Sequence, residues 1–202
     1  MRPSDRVVCP CLACVDVDPG AHSVPAIDIA ASRVSVVVLS EAAAPRAEDN
    51  YYAGDDALFA QTTLQAFRDA GVDVASVAEL LRRGIYFTTA VKCAKTAYGI
   101  QTATVRACSE LLERELALFP NVRAILLMGD VAIKALCALA RRAGEPRPIP
   151  AGSTYRLRGP EYTWRGVRVF PSYLQAGPSF FIEKSKRRMI AEDIAAAIAC
   201  VA

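Results

Sequence analysis

Three nearly continuous apolar runs, each followed by a stretch with helical spacing, constrain this chain more than any other feature. Val34 to Leu39 reads Val-Ser-Val-Val-Val-Leu, Ile85 to Thr89 reads Ile-Tyr-Phe-Thr-Thr, and Val122 to Met128 ends in Ile-Leu-Leu-Met. Runs of this kind suit strands covered on both faces, as in parallel sheets. The intervening segments carry apolar residues at helical intervals. Asp56 to Ala70 places Leu58, Phe59, Thr62, Leu64 and Phe67 on one side, and Gly71 follows as a stop. Ser76 to Arg83, Gln101 to Leu118, Asp130 to Arg142 and Ile182 to Ala199 read as further helices, with Pro120 closing the second of these. Residues 146–150 are a Pro-rich loop, and Thr154 to Leu157 with Trp164 to Val169 read as a hairpin or adjoining strands. Strands alternating with helices predict an α/β fold of three αβα layers, with a central, mainly parallel sheet of four to five strands. Ligands of such sheets bind beyond the carboxyl ends of the strands. The informative loops are therefore those after Leu39, Thr89, Met128 and Val169.

No linker or repeat divides the 202 residues, so residues 1–202 are expected to form one domain. No apolar run reaches the roughly 18–20 residues of a bilayer span. The charged start, Met-Arg-Pro-Ser-Asp-Arg, does not lead into a secretory signal, which points to the cytoplasm. A net charge of +3 neither requires nor excludes nucleic acid, because a local basic strip suffices as a footprint.

Seven cysteines are many for a chain of this length in a reducing compartment, where disulfides are the weaker explanation. Cys137 and Cys200 each stand alone in an apolar helix and read as small buried hydrophobes. The others are grouped. Cys9, Cys11 and Cys14 cluster near the start, Cys93 follows Lys92 after the second strand, and fourteen residues separate it from Cys108. Thiolates select iron–sulfur clusters, zinc or copper(I). Cys11, Cys14, Cys93 and Cys108 would satisfy a [4Fe–4S] cluster. Zinc suits the same four thiolates. Cys9 could replace Cys11 or be a spectator.

The order C-x2-C, a distant Lys-Cys, fourteen residues and a last Cys resembles the cluster signature of family 4 uracil-DNA glycosylases. Further landmarks follow in the same order. Ser40-Glu41-Ala42-Ala43-Ala44, with Glu48-Asp49 downstream, resembles the family's Gly-Glu-Ala-Pro-Gly motif and acidic pair. Ile85 to Cys93 resembles the strand leading to the third ligand, and Ile125 to Gly129 the strand ending in Gly before a helix. Phe170-Pro171-Ser172-Tyr173-Leu174 resembles the His-Pro-Ser/Ala motif. The departures fall at the active site: Phe170 stands where the family carries His, Thr89 where it often carries a uracil-reading Asn, and Ala43 and Ala44 where the first motif has its Pro and second Gly. The only histidine, His22, matches no motif position and reads as a solvated or locally bonded residue.

The resemblance implies a hydrolase that excises uracil, or another deaminated base, from single- or double-stranded DNA in base excision repair, acting as a monomer. Breaking the glycosidic bond leaves a cationic sugar and a base anion. A carboxylate can position water, donors can stabilise the anion, and an aromatic ring can stack on the extruded base. Glu41 is the expected carboxylate, Asp49 and Glu48 are second candidates, and Ser172 is a candidate donor. Ser40, Ala42, Thr89 and Phe170 would line the base pocket, with Tyr52 or Phe59 as the stacking ring. Thr89 offers one hydroxyl where an Asn amide makes two bonds, and Phe170 can donate none. Tyr173, Leu174 and Gln175 would form the wedge entering DNA, with Lys184, Lys186, Arg187 and Arg188 on phosphates. A non-catalytic DNA binder, or a protein acting on a free nucleobase or nucleoside, remains an alternative on the same scaffold.

Overall fold

A computed structural model describes residues 1–10 and 14–202. Among the described residues, six strands form one sheet: β1 (Val17–His22), β2 (Val36–Ala43), β3 (Ile85–Lys95), β4 (Ala124–Met128), β5 (Tyr162–Trp164) and β6 (Val167–Ser172). Their order is β1-β3-β2-β4-β6-β5. The inner four run parallel, and β1 and β5 pair antiparallel at the two edges. The expected parallel core is thus present, widened by antiparallel edge strands.

Among the described residues, seven α-helices accompany the sheet: α1 (Leu58–Asp69), α2 (Val77–Arg82), α3 (Thr102–Leu116), α4 (Asp130–Arg142), α5 (Thr154–Leu157), α6 (Ser179–Ile182) and α7 (Lys184–Val201). The two-residue period of a strand sends alternate side chains to opposite faces. In β2, Val37 and Leu39 pack with Leu112 of α3 and Leu136 of α4. Val36 and Val38 pack on the other face with Phe67 of α1, Leu80 of α2 and Ile194 of α7. Burial on both faces is why these strands read as continuous apolar runs.

Thr154–Leu157 departs from expectation. It is one helical turn, with the Arg156 and Leu157 N–H groups donating to the Ser153 carbonyl. It buries Leu157 and leaves Tyr155 in solvent, so it lacks the alternating burial of a paired strand. The hairpin partner of β6 is instead Tyr162–Trp164.

Local signals fix α2. The Ser76 hydroxyl accepts the Glu79 N–H at 3.2 Å, and the Glu79 carboxylate accepts the Ala75 N–H at 3.0 Å. This arrangement is close to a capping box. Ser76→Ala should lower the unfolding free energy by about 1 kcal/mol in a urea titration, the usual worth of such a cap.

Beneath the carboxyl half of β3 lies a wholly buried ion pair. Lys92 Nζ contacts the Glu115 carboxylate and donates to Thr88 Oγ1 at 2.9 Å and to the Thr89 carbonyl at 2.5 Å. Glu115 Oε1 accepts from Tyr86 Oη at 2.6 Å and from Thr88 Oγ1 at 2.9 Å. Every polar atom of the pair therefore meets another, as burial of charge requires.

Candidate active site and cysteine cavity

Beyond the carboxyl ends of β2, β4 and β6 opens a cavity of about 570 Å³. Glu41 reaches it from β2, Lys95 from the end of β3, and Gly129 from the turn between β4 and α4. Tyr173, Leu174, Lys186 and Arg187 line its other side. This is the position at which open α/β sheets bind ligands.

Glu41 is held against the start of α4. Its Oε1 lies 3.5 Å from the Val131 N–H, and its Oε2 lies 3.9 Å from Lys95 Nζ. A helix N-terminus offers unpaired N–H groups and a partial positive charge to a carboxylate. Gly129 makes the approach feasible. Its φ is +104°, and a Cβ there would stand 2.8 Å from Glu41 Cγ. The residue is thus a glycine both for backbone conformation and for space.

The Ser40 hydroxyl, one residue before Glu41, points to the opposite face of β2. It bonds to Tyr51 Oη and lies 3.3 Å from Gln175 Oε1. Gln175 Nε2 donates to Tyr51 Oη at 3.1 Å and is 3.5 Å from Thr63 Oγ1. All four side chains are buried. Burial of Tyr51 raises its phenol well above the ordinary value. Gln175 therefore faces inward, and of the three wedge candidates only the half-buried Tyr173 and Leu174 border the cavity.

Ser172 is also turned inward. Its hydroxyl donates to Asp193 Oδ2 at 2.5 Å, and Arg158 Nε donates to the same oxygen at 2.7 Å. Burial raises the Asp193 carboxyl, with Arg158 and Ser172 opposing. That bond fastens β6 to α7 and leaves Ser172 wholly buried. Asp49 pairs with Arg46 at 2.8 Å, and the hydrogen bond holds its carboxyl below the usual range. Glu48 is exposed on the same turn, 3.7 Å from Arg46.

The remaining base-pocket residues are dispersed. Tyr52 and Thr89 line a separate cavity of about 230 Å³, with Asn50 and residues 23–27. The Tyr52 hydroxyl accepts the Phe87 N–H at 2.8 Å, and its ring stacks on Tyr86 with centroids 6.2 Å apart. Phe59 is buried against Tyr51, centroids 5.3 Å apart, so its faces are taken by the core. Ala42 is buried in the core with α3 and α4. Phe170 packs on the α1–α7 face with the Arg168 guanidinium 5.4 Å from its ring.

Basic residues rim the larger cavity. Lys186 pairs with Glu183 and lies 5.5 Å from the Tyr173 ring. Arg187 pairs with Asp69; Arg188, 3.5 Å from Glu192, and Lys184, exposed at the first turn of α7, do not line the cavity. Reading the sequence alone missed Lys95 and Tyr98. Tyr98 is 99% exposed at the cavity mouth, and a Lys–aromatic pair just after an apolar strand was the available signal.

On the α3 side of the sheet, Cys9, Cys14, Cys93 and Cys108 line one cavity of about 540 Å³. Cys11 lies outside the described residues. The Lys92 N–H donates to Cys108 Sγ at 3.2 Å. Burial, then the neighbouring thiols of Cys108, Cys9 and Cys14, push the Cys93 thiol up to about 11, and burial also raises Cys108. Among the described residues no three His, Cys, Asp or Glu side chains close tightly enough on one point to hold a metal ion. His22 ends β1, is exposed to solvent as expected, and also borders this cavity. Burial lowers its pKa, with Lys92 adding to the effect.

A family model described as the uracil DNA glycosylase superfamily matches residues 29–193, and the chain belongs to that superfamily. A type-5 uracil-DNA glycosylase of Thermus thermophilus is 32% identical over 94 residues. That match covers 46% of this chain and 43% of the relative, so it spans less than half of either. The wild-type UNG crystal structure from Nitratifractor salsuginis is similar at a TM-score of 0.41 and 14% identity, covering 81% of this chain and 73% of that one. No helix among the described residues is long and apolar enough to cross a membrane.

Proposed function

We propose that this protein hydrolyses the N-glycosidic bond of uracil in DNA, as a cytoplasmic, monomeric hydrolase of base excision repair. The observation carrying this reading is the Glu41 carboxylate, seated at the α4 N-terminus inside a basic-rimmed cavity beyond the strand ends. Glu41 would orient a water toward the anomeric carbon and face the cationic sugar. Tyr173 and Leu174 would enter the strand where the base leaves, and Lys184, Lys186 and Arg187 would meet phosphates. Asp49, Ser172 and Gln175 then act as scaffold, because their polar atoms are engaged elsewhere. Thr89 and Tyr52 line the separate smaller cavity and not the one that holds Glu41.

The test incubates the protein with single- and double-stranded oligonucleotides containing one uracil, then cleaves abasic sites with alkali. Abasic sites should form, and Glu41→Ala should lower kcat by about a hundredfold or more, the range for a lost catalytic carboxylate. Full activity of that variant would reject the assignment of Glu41. Phe170 favours a second reading, a DNA binder without hydrolysis. DNA retention without abasic sites would establish that reading instead.

The same proposal places a [4Fe–4S] cluster on Cys14, Cys93, Cys108 and either Cys9 or Cys11. The donor set fits: four thiols share one cavity, and a backbone N–H already points at Cys108. Zinc suits four thiolates equally well, and metal analysis decides between the two. When bound, the cluster would cross-link the N-terminal segment to β3 and α3. Anaerobically purified protein should contain iron and sulfide and show a broad visible band, and Cys93→Ser or Cys108→Ser should abolish both. Colourless protein carrying zinc would contradict it.

A further inference from the structure

The cavity that holds Glu41 also holds one cation without a close carboxylate partner. Four basic residues line it: Lys95, Lys134, Lys186 and Arg187. Three have a carboxylate of their own. Lys134 pairs with Asp130, Lys186 with Glu183 and Arg187 with Asp69. Among the described residues, the only carboxylate within 4 Å of the Lys95 ammonium is Glu41, at 3.9 Å. That separation is too long for a strong charge-assisted hydrogen bond, which runs at about 2.7–2.9 Å. The ammonium is held in place by the Tyr98 carbonyl at 3.2 Å, with the Tyr98 ring 5.7 Å away.

Resting on the glycosylase reading above, we propose that Lys95 supplies the positive charge that stabilises the departing base anion. The bond between the anomeric carbon and the base nitrogen breaks, and its electron pair leaves with the base. The oxygen of the water held by Glu41 bonds to the anomeric carbon, and the water's proton passes to the Glu41 carboxylate. Lys95 keeps its proton throughout and contributes charge alone. Carboxylate and ammonium lie close enough for one nucleotide to meet both: Glu41 on the sugar side, Lys95 on the base side. Tyr98, exposed at the cavity mouth, would cover the ammonium from solvent once DNA is bound.

A leaving-group comparison separates this role from a structural one. Lys95→Met and Lys95→Arg are assayed with wild type on identical oligonucleotides carrying uracil or 5-fluorouracil, whose anion is intrinsically more stable. Lys95→Met should lower kcat on uracil by about a hundredfold, as loss of one such donor does, with KM little changed. The loss should be clearly smaller on 5-fluorouracil, and Lys95→Arg should recover most of the rate. Equal losses on both bases, or a loss on uracil under about threefold against the hundredfold of a lost donor, would overturn the role of Lys95 while leaving the glycosylase reading intact. Absence of base release by wild type would overturn both.

Discussion

Glu115→Ala should lower the unfolding free energy by about 3–5 kcal/mol, the cost of stranding one partner of a buried ion pair. The side chain meets Lys92, Tyr86 and Thr88, and both members of the pair are fully enclosed. Its removal leaves the Lys92 ammonium without a counter-charge and two hydroxyls without an acceptor. Replacing both ends, as Lys92→Met with Glu115→Leu, should recover much of the loss, because buried pairs are often matched by packed apolar residues. Urea denaturation of the wild type, the two single variants and the double variant measures the coupling directly. A Glu115→Ala cost under about 1 kcal/mol, the worth of one ordinary hydrogen bond, would contradict the enclosed network. The pair also touches two other cavities, since Lys92 holds the Thr89 carbonyl and its own N–H meets Cys108.

Gly129→Ala should cut kcat/KM on uracil-containing DNA by about a hundredfold, since displacing a reacting group by about 1 Å can cost that much. Two causes combine. A methyl group would stand 2.5 Å from Glu41 Oε1 and 2.8 Å from its Cγ, which forces the carboxylate away. The backbone would also hold a non-glycine residue at φ +104°, a strain of about 1–3 kcal/mol. DNA affinity should change little, because Lys184, Lys186 and Arg187 lie on another element. Single-turnover kinetics and fluorescence anisotropy on the same samples separate the two effects. Unaltered excision would mean that Glu41 does not act from the position described.

Much of the fold was legible because burial on both faces leaves an unmistakable mark. Val36 to Leu39 and Ile125 to Met128 are apolar at every position, and each is a central parallel strand. Asp130 to Arg142 could be read to both ends, since Gly129 and Gly144 bracket an amphipathic pattern. The edges were harder. β1 contains Val-Asp-Pro-Gly-Ala-His, a poor strand by composition, and pairs only with β3. Proline is tolerated in such a strand because an edge leaves some N–H positions unpaired. Thr154 to Leu157 misled because a four-residue segment is too short for either period to assert itself.

The site was legible where a motif fixed a backbone position. Glu41 and Gly129 lie where strand ends meet a helix start, and sequence order locates such points. Gln175 and Ser172 were misread because partners distant in sequence decide their orientation: Tyr51 and Thr63 in one case, Asp193 in the other. Phe59 followed the same logic, taken into the core by Tyr51. Lys95 escaped notice for the converse reason. Its significance depends on the neighbouring strand placing Glu41 beside it.

The most direct test of the account is the release of free uracil from a single-uracil oligonucleotide by wild-type protein and by Glu41→Gln, followed by chromatography under single-turnover conditions. The account predicts stoichiometric uracil from the wild type. It predicts release slowed by about a hundredfold or more in the variant, which keeps the shape of the side chain but not its charge. No uracil from wild-type protein that binds the oligonucleotide, or equal rates for the two proteins, would contradict it.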